Sequence, residues 1–222
     1  MAERTDDAIL FEEIDDELRQ DQANKLWQAY GKYIVALCIA IILSVGGYQA
    51  WSHFTIQARQ EAGERFAAAI TLAAENKTEN SIIELAKIIE DGTDGYKILA
   101  RFSQARLLVQ QKNFTGAVEA YKSLAQDKSL DTLYKDLAII FGALVELNIP
   151  NQDLKTLKEK LESLYEESNP WRFSAKEITV MINQKIGAKL ESIKLLNSLK
   201  EDQLAPKGIR ARAEEMLSAM GK

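Results

Sequence analysis

Residues 33–51 read YIVALCIAIILSVGGYQAW, nineteen in a row without a charge, and no other stretch of the chain limits its fate so tightly. As an α-helix the run rises about 1.5 Å per residue, close to the roughly 30 Å of a bilayer's hydrocarbon. Its apolar residues fall on every side of the helix rather than in one stripe, the pattern of a segment solvated by lipid. Trp27, Tyr30 and Tyr33 flank one end and Tyr48, Trp51 and Phe54 the other, where amphipathic rings sit at headgroup depth. The expectation is a single-pass anchor carried by Tyr33, Ile34, Leu37, Ile41, Leu43, Gly46, Gly47, Tyr48 and Trp51. The run follows 32 acid-rich residues and leads straight into WSHFTIQARQEA, without the basic start or small-residue cleavage site of a signal peptide, so it reads as uncleaved. Cys38 reads as a small apolar residue within the span and His53 as a solvated neighbour of the headgroups.

The anchor divides the chain into an acidic segment, 1–32, the span, 33–51, and a larger domain, 52–222. Nine acids and four bases lie in residues 1–32 and twenty-four of each in the remainder, so the net charge of -5 belongs to the N-terminal segment. Neither part has the basic excess of a nucleic-acid binder. Arg19, Lys25 and Lys32 before the span outnumber Arg59 and Arg65 after it, which favours a cytoplasmic N-terminus and a translocated domain. Phe11, Ile14 and Leu18 recur at helical spacing among Glu12, Glu13, Asp15, Asp16 and Glu17, and Leu26, Trp27 and Tyr30 follow. That is a short amphipathic helix whose acidic face disfavours anionic lipid; it is either solvated or docked on a protein.

Chemistry is sparse. One cysteine cannot staple a fold, and one histidine removes metal sites needing two imidazoles and most His-based catalysis. No P-loop, GxGxxG, GxSxG, HExxH or CxxC occurs, so the expectation is a non-enzyme with no cofactor, no metal and no small-molecule substrate. Adjacent acids such as Glu166-Glu167 and Glu214-Glu215 lie about 100° apart on a helix and do not form a catalytic pair.

With only three prolines and eleven glycines in 222 residues, the domain is expected to be all-α. Residues 57–74 continue the anchor helix, broken only by Gly63, and would join anchor and domain stiffly. Helices are then predicted near 80–91, 95–112, 114–127, 132–148, 152–167, 171–186, 188–202 and 207–220. The breaks are short and supplied by Asp91-Gly92, Asn113, Ile149-Pro150-Asn151, Asn169-Pro170, Gly187 and Ala205-Pro206. Loops this brief make consecutive helices antiparallel.

A repeat runs through these hairpins. SQARLLVQQKNFTGAVEAYKSLA fits a helix-turn-helix unit of about 34 residues, with Ala105 and Leu108 at the small and large positions of the first helix. Phe114, Ala117 and Tyr121 take the aromatic, small and aromatic positions of the second. Ile89, Tyr121, Leu161 and Leu196 are predicted to be equivalent in successive second helices, at intervals of 32, 40 and 35 residues. The expected fold class is therefore an N-terminal transmembrane helix followed by TPR-like α-helical hairpin repeats, an α-solenoid, with an unrepeated helical bundle as the alternative.

FEEIDDELRQDQANKLWQAYGKYIVAL, a single span, and then hairpins containing NFTGAVEAYKSLAQD together resemble the tetratricopeptide-like family of the YfgM-type ancillary subunit of the Sec translocon. The most telling parts are Asp16-Glu17-Leu18-Arg19, the stretch from Leu26-Trp27 to Tyr30-Gly31, and the hairpin 113–121. The resemblance implies a bacterial inner-membrane protein with a cytoplasmic N-terminus and a periplasmic helical domain. Its implied partners are translocon subunits, chaperones and the client proteins passed between them. Residues 155–164 depart from the repeat consensus, so no binding surface transfers from the family. A scaffold or assembly factor for envelope or cell-division machinery would use the same architecture.

Overall fold

The computed structural model describes the backbone of residues 3–221 and the side chains of 27–33 and 35–221. The predicted apolar set Phe11, Ile14 and Leu18, and Ile34 of the anchor, lie outside the described side chains. Every regular element among the described residues is helical: α1 (Glu3–Ala74), α2 (Thr78–Asp91), α3 (Asp94–Gln110), α4 (Phe114–Gln126), α5 (Thr132–Glu146), α6 (Leu154–Glu162), α7 (Arg172–Lys185), α8 (Lys189–Glu201) and α9 (Lys207–Ala219). They form two compact units, Met1–Gln60 and Glu61–Lys222.

In the first unit α1 is long and apolar enough to cross a membrane, and its most apolar window buries none of its residues against protein. Tyr33, Leu37, Ile41, Leu43, Gly46, Gly47, Tyr48 and Trp51 all face outward. Ser44 Oγ donates to the Ala40 carbonyl at 2.7 Å and Thr55 Oγ1 to the Trp51 carbonyl at 2.8 Å. These bonds back into the helix leave neither hydroxyl in need of water.

The second unit is built from pairs. The last part of α1 packs with α2, and α3/α4, α5/α6 and α7/α8 follow, with α9 closing the stack against α8 and α7. Small residues recur in the first helix of each pair, where Ala62, Ala100, Ala138 and Ala175 are all buried at steps of 37 or 38 residues. A methyl side chain lets the neighbouring helix axis approach, and the larger Leu107, Val145 and Ile182 fill the space one register further on.

The second helices keep their own register. Counted from the residue before each helix, the buried positions are Ser81, Leu85 and Ile88 in α2; Ala117, Tyr121 and Leu124 in α4; Leu157, Leu161 and Leu164 at α6; and Ser192, Leu196 and Leu199 in α8. This corrects the assignment of Ile89: the equivalent of Tyr121 is Leu85, with no exposed surface, and Ile89 is only partly buried at the edge of the core. The first interval is therefore 36 residues rather than 32. Ile88-Ile89 offers two apolar residues to one inward position, and only packing against α1 and α3 chooses between them.

Three of the four hairpins turn in the same way. Asn76, Lys112 and Gly187 have positive φ (62°, 61° and 77°). The next amide reaches back five residues, from Lys77 to Leu72 at 2.9 Å, Asn113 to Leu108 at 2.9 Å and Ala188 to Asn183 at 2.8 Å. This is the Schellman closure of a helix end. The α5–α6 connection lacks it: Asn148 and Ile149 bond only three residues back, the chain passes through Pro150, and Asn151 (φ 59°) precedes the Asp153 cap. The extra residues of this turn, with the loop after α4, produce the 40-residue interval. A second departure is that α6 ends at Glu162, not 167. Leu164 and Tyr165 tighten to bonds three residues back, drawing Leu164 into the core beside Leu161.

Candidate protein-docking face

α5 is the anomaly of the stack. Its sequence TLYKDLAIIFGALVE carries only three charges, and an interior helix that is apolar all round has a face to cover beyond the one its fold uses. Ala138 and Val145 pack towards α3 and α4, while Ile140, Ala143 and Leu147 pack towards α6 and α7. Between these two contacts, Tyr134, Leu137, Phe141 and Leu144 follow one another at steps of three, four and three residues. At about 100° per residue they occupy a single strip of the helix. Tyr134, Phe141 and Leu144 remain 37%, 38% and 37% exposed.

Neighbouring first helices extend this face. One repeat back, at the register of Leu137, stands Leu99 of α3, 47% exposed. One repeat forward, at the register of Leu144, stands the half-buried Met181 of α7. Phe141 is held by an aromatic trio: its ring centroid lies 6.0 Å from that of Phe102 and 5.8 Å from that of Tyr121, and Phe102 lies 6.1 Å from Tyr121. Edge-to-face and tilted rings at such distances lock the floor of the face. Burial pushes the Tyr121 hydroxyl above its ordinary range, and the positive charge of Arg106 partly opposes the shift.

A second depression opens on the other side of α5. It has a volume of about 280 Å³ between α4, α5 and α6, with Val118, Ala125, Ile139 and Leu157 among its walls. Gly142 forms part of its floor, and the Lys160–Glu146 ion pair at 3.9 Å stands at its margin. Its size suits one or two side chains rather than a length of polypeptide. No group of acidic, histidine or cysteine side chains among the described residues could hold a metal ion.

Of the residues predicted to pack the repeats, Ala105, Ala117, Leu161 and Leu196 have no exposed surface and Tyr121 has 5%. Leu108 and Phe114 sit at the border of the cluster that Ala105, Ala117 and Tyr121 form. Leu161 and Leu196 belong to two further clusters, so these positions are not brought together as one site. Inward-facing repeat positions alone do not point to the strip on α5. Its signal was nonetheless in the sequence, as the excess of apolar residues in α5 over what one buried side requires.

A family model described as a tetratricopeptide repeat-like domain matches residues 24–169, well over half of the chain. The chain belongs to the tetratricopeptide repeat-like domain family. Comparison with curated proteins finds no match, and comparison with solved structures finds none. The matched region takes in the repeats as far as α6, and α7, α8 and α9 continue the same hairpin register beyond it. A tetratricopeptide repeat-like stack is the scaffold of a protein-interaction module, because stacked hairpins present an extended surface for other polypeptides.

Proposed function

We propose that this chain is a membrane-anchored adaptor that binds other proteins through the face formed by α3, α5 and α7, and that it catalyses no reaction and needs no cofactor. The observation that carries this reading is the strip Tyr134, Leu137, Phe141 and Leu144, in which Leu137 is half-buried and the other three are exposed, an apolar surface left partly uncovered at the centre of the stack. Residues 33–51 supply the anchor. Their eight Ile, Leu and Val side chains favour insertion by about 0.3–0.6 kcal/mol each, about 2–5 kcal/mol together. The basic residues before the span keep the N-terminus in the cytoplasm and send the helical domain across.

The finer placement draws on the resemblance through FEEIDDELRQDQANKLWQAYGKYIVAL and NFTGAVEAYKSLAQD. It supports a position in the bacterial inner membrane beside the Sec translocon, with the periplasmic domain passing translocated proteins to chaperones. Tethering serves this role because it raises the domain's effective concentration at the exit of the channel.

Two experiments test the proposal. A photo-crosslinking amino acid in place of Phe141, in the full-length protein in its native membrane, is expected to capture translocon subunits, chaperones or chains in transit. Capture of wall-synthesis or division components instead identifies the scaffold reading, and no capture beyond that from the exposed position Glu119 on α4 refutes the docking face. A reporter active only outside the cytoplasm, fused after Lys222, is expected to be active; a stable but silent fusion reverses the topology.

A further inference from the structure

The apolar strip of α5 lies between two basic helices. α3 carries Lys97, Arg101 and Arg106 against Asp94, and α7 carries Arg172, Lys176 and Lys185 against Glu177. On both helices the acid's influence on the face is small: Asp94 is the first residue of α3, and Glu177 is already held by Arg212 of α9 at 2.5 and 2.9 Å. Arg101 turns away to Asp127. Arg106 is different, since it is exposed, no carboxylate among the described residues pairs with it, and its register is that of Leu144. Lys185 stands one turn further along, at the register of Asn148, and its ammonium donates to the Leu147 carbonyl, with no acidic partner among the described residues. The end of the apolar strip is thus flanked on both sides by cations, while Glu146 of α5 turns to Lys160 on the opposite side.

We infer that this face takes an amphipathic helix whose apolar row is flanked by carboxylates. The inference rests on the docking-face reading above and adds the chemistry of the occupant. The strip from Tyr134 to Leu144 is about 15 Å long at 1.5 Å per residue, enough for an apolar row at i, i+3 and i+7 of a partner helix lying along it. Phe141 and Leu144 accept that row, and Arg106 and Lys185 meet the acids on its two sides. Opposite charges set partner choice and encounter rate, while the apolar contact holds the complex. This chain's own residues 11–18 have the same chemistry, but the proposed topology places them across the anchor, so the occupant is a separate polypeptide.

The test uses the full chain in lipid nanodiscs and three synthetic helical peptides of about 14 residues with one leucine row, flanked by Glu, by Gln or by Lys. Fluorescence anisotropy is expected to rank them Glu, Gln, Lys, with about three- to tenfold between the first two at low salt and less at high salt. Arg106→Gln combined with Lys185→Gln is expected to erase the Glu-over-Gln preference and leave the affinity for the Gln peptide unchanged. Because Lys185 also bonds to the Leu147 carbonyl, Arg106→Gln alone, which spares that bond, is measured beside the double variant and is expected to reduce the preference, whereas Arg106→Lys is expected to keep it. Equal binding of all three peptides, or none by any, overturns the acidic-partner inference. Phe141→Ser failing to weaken a peptide that does bind places binding elsewhere, and then the docking face itself is wrong.

Discussion

Leu85 and Ile89 differ by four residues, one turn of the same helix, yet the stack treats them unequally. Leu85 has no exposed surface and packs with Ala69, Ala100 and Leu107, whereas Ile89 lies partly buried at the margin of that cluster. Leu85→Ala removes a fully buried isobutyl group and leaves a cavity between three helices that cannot easily collapse, at a cost of about 3–4 kcal/mol. Ile89→Ala removes a side chain whose outer part already meets water, and about 1 kcal/mol is expected. The assay is urea unfolding of residues 58–222, a fragment expected to be soluble, followed by the fluorescence of its sole tryptophan. Trp171 reports tertiary structure because its Nε1 donates to the Leu133 carbonyl at 2.9 Å, bridging to α5. With a denaturant slope of about 2 kcal/mol per molar, Leu85→Ala lowers the midpoint by about 1.5–2 M and Ile89→Ala by about 0.5 M. Equal losses, or a larger loss for Ile89→Ala, would return the repeat to a 32-residue first interval and refute the register that places Leu85 opposite Tyr121.

Four further outcomes are expected. Ser81 Oγ donates to the Ala69 carbonyl at 2.7 Å, while Ser192 in the same register is buried with no partner for its hydroxyl among the described residues, so Ser81→Ala lowers stability by about 1 kcal/mol and Ser192→Ala is neutral or stabilising in the same titration. Lys112→Gly raises the urea midpoint, since a left-handed conformation costs a side-chain-bearing residue about 1 kcal/mol that glycine does not incur. Gly63→Ala, normally a gain of about 1 kcal/mol within a helix, brings none because the new Cβ would lie 2.7 Å from the Tyr96 hydroxyl; thermal melts are expected to recover the gain in a Tyr96→Phe background. The Ser129 hydroxyl, then Arg101 and the Ser129 amide, hold the Asp127 carboxyl down at about 2. Its contribution is complete above the unfolded carboxyl's pKa near 4 and is lost as pH falls from there towards 2. Acid titrations of Asp127→Asn should accordingly show a shallower stability loss in that window.

Much of this protein's architecture is legible in its sequence, and the reason is locality. The uncharged run at 33–51, the breaks at Asp91-Gly92, Asn113 and Asn169-Pro170, and the small and aromatic positions around 105–121 act over a few neighbouring residues. Hydropathy, capping and proline sterics determine what they do before any tertiary contact forms. Which apolar residue faces the core is a different question. Ile88, Ile89 and Leu85 are all suitable by type, and α1 and α3 decide among them. The early end of α6 likewise follows from the pull of Leu164 into the core, which no local propensity specifies. The docking face falls between these cases. An excess of apolar side chains was legible in α5, but whether Phe141 and Leu144 would be covered depended on where α3 and α7 came to lie, and Arg106 and Lys185 came to flank that strip only through the stacking of these helices. Local chemistry determined the helices and where they stop, and the distances between helices decided what was left for a partner to cover.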